Sequence, residues 1–260
     1  MKLLVTNDDS IESPFLHELV RALLAAGHET CVVAPKTEQS WTGASKTRHR
    51  SVHATRADRG LACPTWIVDG TPSDAVNIAL AHLLPGHFEP EAVVSGINVG
   101  GNGTLGFILA SGTVAGAWEG VLHGLPAMAV SQEIPADTYE KLKQHGAEPS
   151  PELLATVKHS AAHAARLAPQ FFESTRRNSF VLHNVNFPAH CRADTPVRRT
   201  VPAHVHVPNI FSPADADGHH RLRWGKIRDV SPTGLLTDVA CVERGEISHS
   251  VLDYTKLGQA

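Results

Sequence analysis

The chain contains 260 residues, with 23 basic and 26 acidic side chains and a formal net charge of -3 at neutral pH. Hydrophobic residues make up 42% and charged residues 19%, a balance typical of globular proteins and not of disordered ones. A weakly acidic chain lacks the excess of basic residues that is typical of proteins that bind a nucleic acid polymer. No apolar run approaches the ~20 residues that cross a bilayer, and the first residues lack a signal-peptide pattern.

The cysteines are isolated from one another, and none forms a Cys-x-x-Cys pair. In a chain of this size, isolated cysteines indicate reduced thiols rather than a disulfide framework. We therefore expect a cytoplasmic protein that contacts neither a membrane nor a nucleic acid polymer. The four cysteines are Cys31, Cys63, Cys191 and Cys241.

The first 35 residues predict a strand, a helix and a second strand. Residues 2–6 and 30–34 are short apolar runs typical of buried parallel strands. Between them, Ser13 and Pro14 form a helix-start signal, and Gly27 ends the helical spacing of the apolar residues. This order predicts a βαβ unit with a right-handed crossover.

The same alternation continues as far as Pro188. Residues 36–65 are polar and basic, and they predict a loop with a hairpin. The pattern then predicts strands at 66–68, 91–95, 127–131 and 179–185, and helices at 71–84, 113–123 and 151–167.

After Pro188 helical periodicity disappears and proline, histidine and arginine become frequent. Short strand-like pieces are expected at 201–207, 222–227 and 239–242. The sequence therefore predicts a doubly wound α/β core at about residues 1–188, with an extended β-rich part at about 189–260, in one domain.

Polar residues follow the predicted strands, at the sheet edge where α/β proteins bind ligands. Asp8 and Asp9 follow the first strand, Ser40 lies beyond the second, and Asn98 follows the strand at 91–95. Two adjacent carboxylates repel each other unless a positive charge lies nearby. A hard divalent cation would supply that charge, with the two carboxylates as charged ligands and Ser40 and Asn98 as neutral ones. An all-oxygen set favours Mg, Mn or Ca over zinc. The alternative is that these residues only form an Asx-rich turn.

Ser111, Gly112 and Thr113 begin a predicted helix. Free backbone N–H groups at a helix N-terminus bind anions, and glycine allows a close approach of the ligand. The alternative is a plain helix cap. A metal that faces an anion site is the arrangement that hydrolyses a phosphate ester.

Several blocks, in order along the chain, resemble the SurE family of metal-dependent nucleotidases. The blocks are NDD at 7–9, Ser40 with Thr42–Gly43, GTPSDAV at 70–76, VVSGIN at 93–98, Gly100 and Asn102, SGTVAGAWEG at 111–120, NVNFP at 184–188 and TDVACVERGEIS at 237–248.

The resemblance implies a Rossmann-like three-layer α/β/α core. It also implies hydrolysis of nucleoside 5'- and often 3'-monophosphates with one divalent cation, commonly Mn or Mg. Family members are commonly homodimers or homotetramers that exchange C-terminal elements, which would assign residues 189–260 to oligomerisation. On the matching positions, the implied metal ligands are Asp8, Asp9, Ser40 and Asn98, and the implied phosphate ligands are Ser40, Asn102, Ser111, Gly112 and Thr113.

Two departures from the family pattern lie near this site. Ser10 stands where the family usually has glycine, and residues 104–110 replace a stretch that usually carries an acidic pair and an aromatic residue. These departures leave open a specialised phosphatase for a non-nucleotide metabolite, or an inactive homologue that binds a phosphorylated ligand.

The expected activity is that of a metal-dependent phosphomonoesterase with a small phosphorylated substrate. The cation would polarise the phosphoryl group and orient a water molecule. Asp8 or Asp9 would be the base for that water; alternatively, both aspartates only hold the metal.

Overall fold

The computed structural model describes residues 1–84, 86–142, 148–223 and 227–257. In these residues, nine strands form one sheet in the order β3-β4-β2-β1-β5-β6-β7-β11-β8, and β9 pairs with β10 separately. The strands are β1 Lys2–Thr6, β2 Glu29–Pro35, β3 Ala54–Arg56, β4 Thr65–Val68, β5 Ala92–Val99, β6 Ala127–Gln132, β7 Val181–Phe187, β8 Val197–Thr200, β9 Val205–His206, β10 Arg228–Asp229 and β11 Ile247–Asp253.

The helices cover both faces of the sheet. They are α1 Pro14–Ala25, α2 Pro72–Ile78, α3 Leu105–Ala110, α4 Gly112–Leu122, α5 Ala136–Leu142, α6 Pro151–Ser174 and α7 Asp238–Glu243, with a π-helical turn at Ala79–Leu83 and a 3-10 turn at Tyr254–Lys256. Among the described helices, none is both long and apolar enough to cross a bilayer.

Side-chain alternation along the parallel strands creates two cores. Leu3 and Val5 of β1 pack with α1 and α6 on one face, while Leu4 packs with α2 and α4 on the other. β4, β2, β1, β5, β6 and β7 run parallel, whereas β3 and β11 are antiparallel to their neighbours β4 and β7. The predicted three-layer Rossmann-like α/β/α fold is therefore confirmed.

The predicted elements up to residue 95 match the structure closely. The expected hairpin in residues 36–65 is completed by the antiparallel pairing of β3 with β4. Thr71 accepts a hydrogen bond from the Asp74 N–H, and Asp74 accepts one from the Thr71 N–H, so a capping box marks the start of the helix predicted at 71–84. The helix predicted to residue 84 ends earlier, at Ile78, and continues as the π-helical turn.

Three predictions were wrong in detail. The strand predicted at 91–95 continues as β5 to Val99, and α3 begins at Leu105, ahead of the helix predicted at 113–123. Residues 239–242 were expected to be a strand, but they lie in α7, because Thr237 caps that helix by accepting from the Ala240 N–H. The expected strand at 222–227 contains only an isolated bridge at Leu222, and its residues 224–226 lie outside the described residues.

Helix α4 packs unusually close to the sheet because one of its faces consists of glycines four residues apart. A Cβ atom added at Gly120 would lie 2.4 Å from Cγ2 of Val93, and one at Gly112 would lie 2.8 Å from Cβ of Asp8. At Gly116 the corresponding distance to Cγ2 of Thr6 is 2.9 Å. These spacings exclude any larger residue, so the glycine face determines how near the helix comes to β1 and β5.

Two histidines link β7 and β11 to helix α6. Nδ1 of His183 and Nε2 of His249 share a hydrogen bond of 2.9 Å, and Nε2 of His183 bonds to Oγ1 of Thr175 at 2.7 Å. The Phe171 ring stacks on both imidazoles, with centroid distances of 4.6 Å and 4.0 Å. Burial, followed by the positive charge of Arg199, lowers the pKa of His183 to about 4. Burial, followed by the neighbouring His183 and Arg199, lowers the pKa of His249 to about 3.

We expect Gly120→Ala to lower the free energy of unfolding by roughly 1–3 kcal/mol, because the added methyl group overlaps Val93. Gly106→Ala in α3 is the matched control, since no atom lies within 4 Å of its added Cβ. The control should leave stability unchanged or raise it by up to about 1 kcal/mol. Urea denaturation of both variants measures the difference, and equal stabilities would contradict the close packing.

We also expect the protein to lose stability as the pH falls from about 6.5 to about 4. In the unfolded chain both histidines bind protons below their ordinary pKa, whereas in the folded protein His183 and His249 stay neutral until far lower pH. The loss should be on the order of 1 kcal/mol per pH unit for each histidine. The urea midpoint is measured as a function of pH, and its decrease toward low pH should be smaller in His249→Gln than in the unaltered protein. His87→Gln, at an exposed position, is the control and should keep the original pH dependence. Equal slopes in both variants would show that the histidine pair does not cause the loss of stability.

Candidate active site

A cavity of about 910 Å³ opens where the predicted site residues meet. The lining residues come from the ends of β1 and β5, the loop after β2, the segment before α4, and the C-terminal part of the chain. Of the residues predicted as metal or phosphate ligands, the cavity lining contains Asp8, Ser40, Asn98, Asn102 and Ser111.

Asp8 lies against the first turn of α4. Oγ1 of Thr113 donates to Oδ1 of Asp8 at 2.5 Å, and the missing side chain of Gly112 leaves room for the carboxylate, whose Oδ2 would be 2.9 Å from an added Cβ. The Gln39 N–H donates to the Asp8 carbonyl at 2.7 Å. Three segments that are distant in sequence therefore meet at this buried residue, and two of them meet at its carboxylate.

Asp9 and Asn98 are held beside each other by backbone contacts. Oδ2 of Asp9 accepts from the Val99 N–H at 2.7 Å. Nδ2 of Asn98 donates to the Gly100 carbonyl at 2.6 Å, so the amide oxygen of Asn98 is the candidate ligand atom. The end of β5 thus presents an oxygen donor next to the second aspartate.

The loop that carries Ser40 is anchored at several points. Oγ of Ser40 donates to Oε1 of Glu38 at 2.6 Å, so its lone pairs remain as potential ligands. The Gly43 N–H donates to the Ala110 carbonyl at 2.9 Å. Lys46 forms an ion pair with the buried carboxylate of Glu119. The basic stretch after Ser40 therefore contributes, through Lys46, to the contacts that hold this loop against α4.

Ser111 and Thr113 use their hydroxyl groups within the protein. Oγ of Ser111 accepts from the Val114 N–H at 3.1 Å as the cap of α4, and the Thr113 hydroxyl is bonded to Asp8. An anion at this helix end would therefore be bound by the backbone N–H groups of Gly112 and Thr113, together with the hydroxyl proton of Ser111.

Asn102 is held by two asparagines of β7 that the sequence reasoning did not identify as site residues. Its N–H donates to Oδ1 of Asn186 at 2.7 Å, and its carbonyl accepts from Nδ2 of Asn184 at 2.9 Å. Its Nδ2 donates to Oγ of Ser131 at 2.8 Å, which leaves one amide hydrogen for a ligand. The available signal was the alternation of Asn184 and Asn186 along the strand, which places both on one face.

Asp238 joins the loop of Asn102 to the C-terminal part. Its carboxylate is 1% exposed and accepts from the Thr104 N–H at 2.8 Å and from the Ala203 N–H at 2.9 Å. Burial raises the pKa of Asp238, and these hydrogen bonds act in the opposite direction. The residue falls in the TDVACVERGEIS block, but no function followed from the sequence.

Glu133 is a further cavity residue that the sequence reasoning missed. It directly follows β6, at the same sheet edge as Asp8 and Asn98, and its side chain lines the cavity. Burial, followed by the negative charge of Glu243, raises the pKa of Glu133. Inspection of the residues after the strand predicted at 127–131 would have found it.

The altered stretch 104–110 forms α3 and contributes Phe107 to the cavity wall. The rings of Phe107 and Trp41 make an edge contact with a centroid distance of 5.5 Å. An aromatic pair therefore flanks the candidate phosphate site.

The donor set fits a hard divalent cation. Asp8 and Asp9 supply carboxylates, and Ser40 and Asn98 supply neutral oxygens, which is the ligand chemistry of Mg and Mn. No lysine or arginine is present among the described residues of the cavity lining to balance these carboxylates. A bound cation would supply the missing positive charge.

The comparisons with known proteins agree with the fold and with the resemblance. The family model described as "Survival protein SurE" matches residues 3–207. The chain is 40% identical over 193 residues to a "5'-nucleotidase SurE" of Desulforudis audaxviator, covering 72% of this chain and 66% of that protein. A "5'-nucleotidase SurE" of Geotalea uraniireducens is 48% identical over 132 residues, which is 50% of each chain.

These matches span from about half to just under two thirds of the curated relatives' own length. The crystal structure of the SurE protein from Aquifex aeolicus aligns with a TM-score of 0.69 and 25% identity, and it covers 99% of this chain and 97% of that one.

Ser10 adopts a φ of +87°, a conformation that favours glycine. We expect Ser10→Gly to raise the free energy of unfolding by about 0.5–1 kcal/mol, because relief of strain exceeds the entropy cost of glycine. Ser51→Gly is the control, because Ser51 is exposed and its φ is not positive. Thermal and urea unfolding compare the two, and a destabilised Ser10→Gly variant would contradict the expectation.

Proposed function

The chain belongs to the SurE family, and from this premise we propose that it is a metal-dependent phosphomonoesterase that hydrolyses nucleoside 5'-monophosphates to nucleoside and phosphate. We include nucleoside 3'-monophosphates in the proposed substrate range. The relatives named 5'-nucleotidase support this choice.

The observation that carries the proposal is the contact between Asp8 and the first turn of α4. Thr113 and Gly112 bring a candidate metal ligand directly beside a helix N-terminus that can bind an anion. Phosphoryl transfer depends on positive charge and hydrogen-bond donors around the phosphate oxygens, and this contact brings both sources together.

The site residues would have three roles: to hold the cation, to bind the phosphate and to accept a proton. Asp8, Asp9, Ser40 and Asn98 would hold one divalent cation, Mg or Mn. When bound, that cation supplies positive charge that polarises the phosphoryl group.

The N–H groups of Gly112 and Thr113, the hydroxyl of Ser111 and the remaining amide hydrogen of Asn102 would bind the phosphate oxygens. Ser40 would join them when its hydroxyl exchanges the hydrogen bond to Glu38 for one to the phosphate. One of the two aspartates would accept a proton from the attacking water.

The size of the cavity supports a substrate larger than phosphate. A volume of about 910 Å³ lies in the usual range for sites that bind small organic ligands. Trp41 and Phe107 border the cavity and offer apolar surface to a sugar or base. The same α3 wall is the feature that would favour a specialised phosphatase for another metabolite.

The oligomeric state belongs to the same proposal. We infer a homodimer or homotetramer, and exposed apolar side chains in the C-terminal part support an association surface there. Among these side chains are Phe211, Leu222 and Leu235.

We expect Asp9→Asn to lower kcat by about 100-fold or more, because the substitution removes a carboxylate charge from the candidate metal site. Removal of divalent cations with EDTA should abolish activity in the unaltered protein, and Mn or Mg should restore it. Phosphate release from AMP measures both effects. Asp58→Asn, in a loop outside the cavity lining, is the matched control and should retain activity.

Full activity of Asp9→Asn, or activity of the metal-free protein, would contradict the proposed metal dependence. Release of phosphate from sugar phosphates but from no nucleotide would favour the specialised phosphatase. Metal-dependent binding of phosphorylated compounds without turnover would indicate an inactive homologue.

A further inference from the structure

The cavity extends well beyond the candidate phosphate site. Its distal wall consists of residues after β6, in α7 and in the C-terminal segment, and it includes both apolar and acidic side chains. We define this distal wall by Glu133, Ile134, Tyr139, Val205, Val242 and Glu243. A substrate whose phosphate lies beside Asp8 would place its leaving group against these residues.

The charge of the lining is strongly one-sided. Apart from Asp8 and Asp238, the lining includes the carboxylates of Glu133, Glu140, Asp229 and Glu243. The described part of the lining contains no lysine or arginine, and its basic side chain is His190. A cation held by the first aspartates would balance charge only at the phosphate end. The distal wall therefore keeps a negative potential toward the leaving group.

Glu133 is the carboxylate nearest to the phosphate end of this wall. Its Oε2 lies directly beside the backbone of Gly101, where an added Cβ would be 2.3 Å away, and Gly101 precedes Asn102. Among the described residues, no side chain or backbone group donates a hydrogen bond to its carboxylate, and no ion pair involves it. A partly buried carboxylate without a donor gains from a ligand that supplies one.

We propose that the distal wall selects phosphomonoesters whose leaving group carries hydrogen-bond donors and no negative charge, with Glu133 as the residue that determines this specificity. The inference rests on the proposed phosphatase function and narrows its substrate class. Nucleosides and amino sugars satisfy the requirement through hydroxyl and amino groups. Leaving groups with a carboxylate or a second phosphate are repelled by the negative charge of the wall, because the low dielectric constant of the cavity strengthens the repulsion.

The test compares substrates that differ mainly in the charge of the leaving group. Glucosamine 6-phosphate, glucose 6-phosphate and 6-phosphogluconate form one series, and AMP with adenosine 3',5'-bisphosphate forms a second. We expect kcat/KM for the anionic member of each series to be at least tenfold below that of the neutral member. The amino sugar should match or exceed the neutral sugar.

Variants of Glu133 test whether this residue causes the preference for neutral leaving groups. Glu133→Gln should narrow the difference between neutral and anionic substrates severalfold, and Glu133→Lys should reverse it. Glu29→Gln, an exposed position at the start of β2 outside the cavity, is the matched control and should keep the original selectivity. Equal kcat/KM values for neutral and anionic substrates, or unchanged selectivity in Glu133→Gln, would overturn the inference and leave the proposed function intact.

The failure of the proposed function gives a different result. In that case neither these compounds nor p-nitrophenyl phosphate releases phosphate with Mn or Mg. The same compounds can then be tested as ligands by the shift in Tm, which needs no turnover. A larger shift with the neutral than with the anionic compound, lost in Glu133→Gln, supports the inference, and equal shifts overturn it.

Discussion

The arrangement of the site depends on how closely helix α4 approaches the sheet. Each glycine within a helix lowers its intrinsic stability by about 1 kcal/mol, yet α4 has three on one face. Their common property is that a Cβ atom would overlap Val93, Thr6 or Asp8. Tertiary packing therefore compensates for weak helix propensity, and in return it places the positive end of the helix against the carboxylate of Asp8. A helix displaced outward by one methyl group would separate the candidate metal and anion sites.

The described part of the cavity lining contains six carboxylates and neither lysine nor arginine. At the phosphate end, Asp8 and Asp9 accept hydrogen bonds from Thr113 and Val99, and the remaining negative charge fits a divalent cation. Farther out, backbone N–H groups stabilise the carboxylate of Asp238, whereas none of the described residues donates a hydrogen bond to the carboxylate of Glu133. One cavity thus has two electrostatic regions: the first is suited to a phosphate with its metal, and the second to an uncharged group rich in donors.

Most of the core fold followed from local patterns. Short apolar runs ended by polar residues identified the parallel strands, and caps such as that of Thr71 identified where helices begin. The same reasoning failed after residue 188, where β8 and β11 join the main sheet although the sequence predicts no strand at either segment. Short segments carry little periodicity, so α7 could not be distinguished from a strand until its cap and its packing beside β11 were known. The assignment of individual residues as metal and phosphate ligands stays a prediction.

By itself, the sequence determined the α/β architecture, the sheet edge at which the site lies, and the family, because all three depend on order and spacing along the chain. Only the tertiary structure decided which atoms meet. It showed that the Thr113 hydroxyl is bonded to Asp8, that Asn184 and Asn186 hold Asn102, and that Glu133 faces the same cavity. These contacts join residues far apart in sequence, and their geometry depends on packing distances between helix and sheet that no local pattern contains.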